Sequence, residues 1–252
     1  MSPDAGWLGL LKTAILFATT GTARNAVGVM LCVFYGLAAL AGARLLRRSS
    51  RISPWLARRI LQVVAGGWVI IAFYWIALWP AMWFAPLLLM YVNYRARRHP
   101  WMKPLLADGE NEEPPLGTLW PALVLALLFW WPGYQFILIS GVLVQTTARG
   151  TAAIVGRYWG HQRFRDRELR NRTFEGIAGM AVASLLLLFA VIYGFAQIPG
   201  VWFGPWSFFG ALLATAVATV TQLYTPQPYD RWAVPLLTAL TVHYYSSAGF
   251  HF

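Results

Sequence analysis

Between Ile177 and Ile198 the chain reads IAGMAVASLLLLFAVIYGFAQI, an apolar run without one charged side chain. A helix rises about 1.5 Å per residue, so a run of this length covers the roughly 30 Å hydrocarbon core of a bilayer. A helix also satisfies its own backbone polar groups, which lipid cannot do. Comparable runs recur at residues 26–46, 60–79, 81–94, 118–131, 134–155, 202–223 and 232–247, with those at 81–94 and 118–131 the shortest. They follow one another too closely for a separate soluble domain. The sequence therefore predicts one integral membrane domain over 1–252. Its class is all-α, a polytopic membrane helix bundle of seven or eight transmembrane helices. Residues 7–19 (WLGLLKTAILFAT) carry Lys12 in their middle, so 1–25 is expected to be an interfacial helix or a first span.

Apart from Arg44 and Arg149, the charges fall outside these runs. Only 12% of residues are charged, against about 25% in soluble domains, and 58% are hydrophobic. The net charge is +11. In a soluble protein that excess would point to nucleic acid, but here the positive-inside rule accounts for it, and no nucleic acid partner is expected. The intervals 44–59, 95–117, 157–176 and 224–231 hold six, four, six and one basic residues, and eight spans place all four on one side. That side is expected to be cytoplasmic, with the bacterial inner (cytoplasmic) membrane as the location. Asp108, Glu110, Glu112 and Glu113 make 99–117 an acidic surface loop. The four His and the lone Cys32 are scattered and predict neither a zinc site nor an internal disulfide.

The longest polar interval, 156–176, is the candidate for chemistry. Arg157, Arg163, Arg165, Arg167, Arg170 and Arg172 crowd into it, with Gly156, Gly160 and Gly176 at its margins. Arginine offers paired donors matched to phosphate oxygens, and glycine lets a backbone approach closely. The N-terminus of the following helix adds free N–H groups and a favourable dipole. Glu175 and Asp230 are carboxylates at helix starts on the predicted cytoplasmic face, suited to Mg²⁺ on a nucleoside triphosphate. The plainer alternative is that these arginines set topology and bind anionic headgroups, with Thr173 and Glu175 merely starting a helix. The spans carry almost no ionisable residue, which argues against a transporter.

The segments ARGTAAIVGRYWG and RTFEGIAGM resemble the nucleotide-binding signature of the CTP-dependent lipid-alcohol kinases, the dolichol kinase, phytol kinase and yeast-type diacylglycerol kinase family. Phosphatidate cytidylyltransferase has a related pattern. TPQPYDRWAVPLLTAL resembles the kinases' closing segment, and LARRILQVVAGG an earlier one. The resemblance spans about residue 56 to the end. It implies that Gly156, Arg157, Gly160, Arg172, Thr173 and Gly176, with Arg149, bind CTP. It further implies that Glu175 and Asp230 are catalytic and hold Mg²⁺, and that a lipid alcohol enters from the bilayer. Four positions depart from the family pattern. Arg149 stands where the family has an Asp, Gln62 where it has a His, Gln222 where it has a Glu, and Arg231 where it has an Asn. The expected activity is phosphorylation of a polyprenol, phytol or diacylglycerol from CTP. The alternatives are a non-catalytic relative that binds phosphate or anionic lipid, and an enzyme acting on phosphatidate.

Overall fold

The computed structural model describes residues 21–48, 52–76, 87, 91, 124–125, 135–164, 172–196, 207–226 and 229–248. Among these the chain is helical, with a single isolated antiparallel bridge between Arg163 and Thr173. Helix α1 (Gly21–Arg48) is followed by α2 (Pro54–Ala65) and α3 (Trp68–Trp75). Helix α4 (Gln135–Leu143) passes through one π turn (Val144–Ala148) into α5 (Arg149–Tyr158). Then come α6 (Phe174–Ala196), α7 (Ser207–Tyr224) and α8 (Asp230–Ala248).

Local chemistry sets several of these boundaries. Pro54 takes the first position of α2, where its missing N–H costs nothing, and Ser53 Oγ accepts from Leu56 N at 3.3 Å as the cap. The elbow between α2 and α3 falls at Gly66 and Gly67. A Cβ on Gly66 would run into Thr146 Oγ1 of the π turn, so only glycine admits the approach. Thr147 Oγ1 then donates to Val63 O at 3.1 Å across the same contact. Three buried hydroxyls return to their own helices, Ser140 to Phe136 O, Thr146 to Val142 O and Thr238 to Val234 O, all at 2.7–2.8 Å. This is how lipid-embedded helices satisfy small polar side chains.

Phe136 through Thr146 are buried without interruption, which makes α4 and the π turn the axis of the bundle. Trp68 and Ile76 pack on one side of this axis, and Met180, Leu188, Ile192, Val234 and Ala239 belong to the same core. Helix α7 presents the small buried residues Ala211, Ala214, Thr215 and Ala218, which let its neighbours α6 and α8 come close. The outer faces are apolar as well. Phe34, Leu186, Phe209 and Val220 are all exposed. In water such a surface would be an aggregation hazard, whereas in lipid it matches the solvent.

Four stretches are long and apolar enough to cross a membrane: Ala23–Leu46, Trp55–Trp75, Gln135–Tyr158 and Phe174–Gly194. Phe208–Tyr224 is apolar but shorter. The described residues of the spans expected at 26–46, 134–155, 177–198, 202–223 and 232–247 are helical throughout, and 134, 197–198 and 202–206 lie outside the described residues. The expected span at 60–79 begins earlier, at Pro54, because Arg58 and Arg59 lie in the opening turns of α2 instead of in a loop. The segment 7–19, the acidic loop 99–117, most of the spans expected at 81–94 and 118–131, and Arg165, Asp166, Arg167, Glu168 and Arg170 lie outside the described residues.

Candidate functional site

Several of the described helix ends meet at one pole of the bundle. Helices α2, α6 and α8 begin there, and α5 and α7 finish there. Trp55 meets Tyr158 edge-on at 6.4 Å between ring centroids, and Arg172 Nη2 donates to Thr225 O at 2.7 Å. The described residues of the intervals 157–176 and 224–231 and the α2 start in 44–59 therefore share one end of the molecule, while 95–117, expected on the same side, lies outside the described residues.

The close fit of α5 against α6 comes from the glycines singled out in the sequence. A Cβ on Gly176 would sit 2.9 Å from Thr173 Oγ1, 3.0 Å from Ala152 O and 3.2 Å from Gly156 Cα. One on Gly156 would meet Thr173 Oγ1 at 2.8 Å, and one on Gly160 would strike Gly156 O. These glycines hold two helices together as well as bordering the site. Thr173 Oγ1 caps α6 by accepting from Gly176 N at 3.1 Å. Residues 162–164 run alongside 172–174: Phe174 N donates to Gln162 O at 3.0 Å, and the rings of Phe164 and Phe174 stack at 4.1 Å.

At this pole lies a cleft of about 470 Å³, lined by Arg59, Arg149, Arg157, Arg163, Arg172 and Asp230 together with Trp55, Gly156, Thr173, Gly176 and Gln222. Among the described residues, five arginines thus face one carboxylate. Asp230 opens α8 and is 1% exposed. Its Oδ2 accepts from Arg149 Nη2 at 2.8 Å and lies 3.8 Å from Arg172 Nη2. Burial raises the Asp230 carboxyl above the ordinary aspartate range, while Arg149 and Arg172 pull the other way. Burial likewise lowers the Arg172 guanidinium from its usual value, opposed by Asp230 and reinforced by Arg149. Even lowered, an arginine stays protonated at neutral pH.

Several buried polar atoms around the cleft have no protein partner: Nη1 of Arg149, Nη1 of Arg172, Nε of Arg59, Oδ1 of Asp230 and Oε1 of Gln222. A buried guanidinium nitrogen without an acceptor is costly, and native interiors seldom leave one so. The donors outnumber the acceptors, so the cleft is suited to an anion with several oxygens. Trp55 forms one wall, with the Arg157 guanidinium 4.3 Å and the Arg59 guanidinium 5.6 Å from its ring centroid. Such stacking fixes the arginines without using their in-plane donors.

Of the residues expected from the sequence, Arg149, Gly156, Arg157, Arg172, Thr173, Gly176 and Asp230 come together on the cleft. Gly160 packs behind it. Glu175 stands apart: its Oε1 accepts from His161 N at 2.9 Å and Gln162 N at 3.2 Å, so it organises the chain that leaves α5. His161 lies 3.9 Å from the same oxygen and turns its Nδ1 to Trp159 O. Trp55, Arg59 and Arg163 are cleft residues that the sequence motifs do not assign to the site. Trp55 and Arg59 are spaced i, i+4 at a helix start, which puts both on one face and is the signal that could have found them.

The donor set bears directly on Mg²⁺. The ion takes oxygen ligands in octahedral geometry, commonly one or two carboxylates with substrate phosphates. Among the described residues no three His, Cys, Asp or Glu side chains converge. Glu175 is engaged at Oε1 by backbone N–H groups, and Asp230 shares its Oδ2 with two guanidinium groups, which leaves Glu175 Oε2 and Asp230 Oδ1 without a protein partner. Among the described residues, the carboxylate on the cleft is already committed to arginine and does not fit an ion held by the protein alone.

Compared with known proteins, the chain is 27% identical over 223 residues to a phytol kinase from Synechocystis sp., covering 84% of this chain and 86% of that one. No protein-family profile matches the chain, and no solved structure does.

Proposed function

We propose that this chain is a membrane-embedded transferase that phosphorylates a lipid alcohol of the polyprenol, phytol or diacylglycerol type, with CTP as the donor. The observation that carries the reading is the set of partnerless guanidinium nitrogens on Arg149 and Arg172, in a cleft where five arginines face Asp230. The near full-length likeness to a phytol kinase supports the same chemistry.

Phosphoryl transfer needs mainly positioning and charge stabilisation, because its transition state spreads negative charge over the transferred group. Arg149 and Arg172 are the buried donors for that charge, while Arg59, Arg157 and Arg163 widen the field around the remaining phosphates. The lipid hydroxyl oxygen bonds to the γ-phosphorus, the bond from that phosphorus to the β-bridging oxygen breaks, and CDP leaves. The hydroxyl proton passes to Asp230 Oδ1, the carboxylate oxygen without a protein partner. Glu175 contributes by holding the backbone at His161 and Gln162. The cleft faces the cytoplasm on this reading, where CTP is available, and the lipid arrives through the bilayer.

The test is turnover. Purified protein in lipid nanodiscs is given γ-labelled CTP and, in turn, phytol, dolichol and diacylglycerol. Labelled lipid phosphate from one alcohol, lost in Asp230→Asn, bears out the reading. CTP bound without turnover of any alcohol leaves a non-catalytic anion-binding protein, a reading favoured by the ion pair that already engages Asp230.

A further inference from the structure

The arrangement around Asp230 goes further than the identity of the donor. Arg149 and Arg172 are each held at one end and open at the other. Arg149 uses Nη2 on Asp230, and Arg172 uses Nη2 on Thr225 O while lying 3.8 Å from Asp230. Their Nη1 atoms are buried and have no protein acceptor. The two side chains are about nine-tenths buried, so they cannot swing out to water to satisfy those donors. One carboxylate oxygen therefore sets two half-satisfied forks in the same cleft.

A metal-bridged nucleotide asks for the opposite electrostatics. It uses one or two carboxylates free to meet the ion near the phosphates, and here the cleft's described carboxylate, Asp230, is paired with Arg149 and flanked by Arg172. Free nucleoside triphosphate is also more anionic than its magnesium complex, and it matches five arginines against one acid better. A cation brought to Asp230 Oδ1 would sit beside Arg149 and Arg172 in a site of reduced dielectric, where like charges repel strongly.

Resting on the nucleotide reading above, we propose that the cleft binds the polyphosphate directly on Arg149 and Arg172, positioned by Asp230, with the arginines in the place of a divalent ion. Nucleotide binding is then independent of magnesium. Asp230 serves binding as a positioning residue through Oδ2, whatever its Oδ1 does in turnover. The same donors suit any compact polyphosphate, and they also suit a phosphomonoester headgroup, so the ligand source has to be separated by experiment.

Binding of CTP and of inorganic tripolyphosphate to the full chain in phosphatidylcholine nanodiscs is measured by calorimetry, once with Mg²⁺ and once with EDTA. Phosphatidate is added to the nanodiscs in a parallel arm. The inference expects CTP and tripolyphosphate to bind in EDTA as tightly as in Mg²⁺ or more tightly. Arg149→Ala and Arg172→Ala each weaken binding by about tenfold or more in both conditions. Because a buried arginine variant can fail to fold, Arg163→Ala is the companion: this side chain is exposed at the cleft rim, and its loss weakens binding to a smaller extent whether or not Mg²⁺ is present. Mn²⁺ alone gives no protein-bound signal in electron paramagnetic resonance. CTP binding that vanishes in EDTA and returns with Mg²⁺ overturns this inference and leaves the nucleotide reading standing. A Mn²⁺ signal that Asp230→Asn removes overturns it equally. Phosphatidate binding with no binding of CTP or tripolyphosphate overturns both.

Discussion

Asp230 and Glu175 occupy equivalent places in sequence, each in the first turn of a helix that starts at the same pole of the bundle. Their surroundings differ completely. Asp230 is buried against two guanidinium groups in the cleft, while Glu175 is partly exposed and accepts from two backbone N–H groups behind it. A helix N-terminus favours any carboxylate in its first turn, so position alone does not separate the two roles. What separates them is the neighbouring helix. Helix α8 starts opposite α5, whose Arg149 reaches it. Helix α6 starts beside the chain leaving α5, whose amides need acceptors.

This contrast predicts a ranked set of effects. The largest belongs to Arg149→Ala, which strands Asp230 in a buried place. Breaking one side of a buried ion pair costs about 3–5 kcal/mol, and the thermal midpoint in detergent should fall accordingly. The double variant Arg149→Ala/Asp230→Ala should recover part of that loss, and no recovery would mean that the pair is not coupled. The next effect concerns steric fit at the α6 start. Gly176→Ala places a methyl group against Thr173 Oγ1, Ala152 O and Gly156 Cα, an overpacking of about 1–3 kcal/mol. A methyl group added at Gly194, further along the same helix, would meet nothing within 4 Å, so Gly194→Ala should be neutral or stabilising by up to about 1 kcal/mol. Equal losses at the two glycines would remove the claim that the α5–α6 crossing is special. The smallest effect is expected for Glu175→Gln. The amide oxygen still accepts from His161 N and Gln162 N, so CTP affinity should be unchanged in calorimetry, whereas Asp230→Asn should weaken it. A loss at Glu175→Gln as large as at Asp230→Asn would collapse the distinction.

Much of the scaffold is legible in the sequence because bilayer physics writes itself plainly. Runs such as 177–198 and 134–155 have one stable outcome in lipid, and their described residues are helical. The clustering of arginine in 157–176 marks the pole where the cleft lies, and Arg149, Arg172 and Asp230 all stand out in the sequence. Their mutual geometry is not legible, because Arg149 and Asp230 are separated by 81 positions and nothing local says that they touch. The π turn is equally hidden. VQTTA carries no signal for an extra residue per turn, and the Gly66 elbow that packs against Thr146 is distant in sequence. Trp55 and Arg59 escape for a related reason. By composition they belong to a basic loop, while Ser53 and Pro54 start the helix early enough to turn both toward the cleft.

The central claim is that an arginine-built cleft delivers a phosphoryl group from CTP to a lipid alcohol. Its most direct test is transfer from γ-labelled CTP to phytol, dolichol or diacylglycerol by the full chain in nanodiscs, beside Arg172→Ala and Asp230→Asn. The account predicts labelled lipid phosphate from the wild-type chain and a fall of about a hundredfold or more in both variants, the scale of losing a preorganised transition-state donor or a positioned proton acceptor. Labelled product made equally well by both variants, or by none of the three proteins while CTP binds, would contradict it.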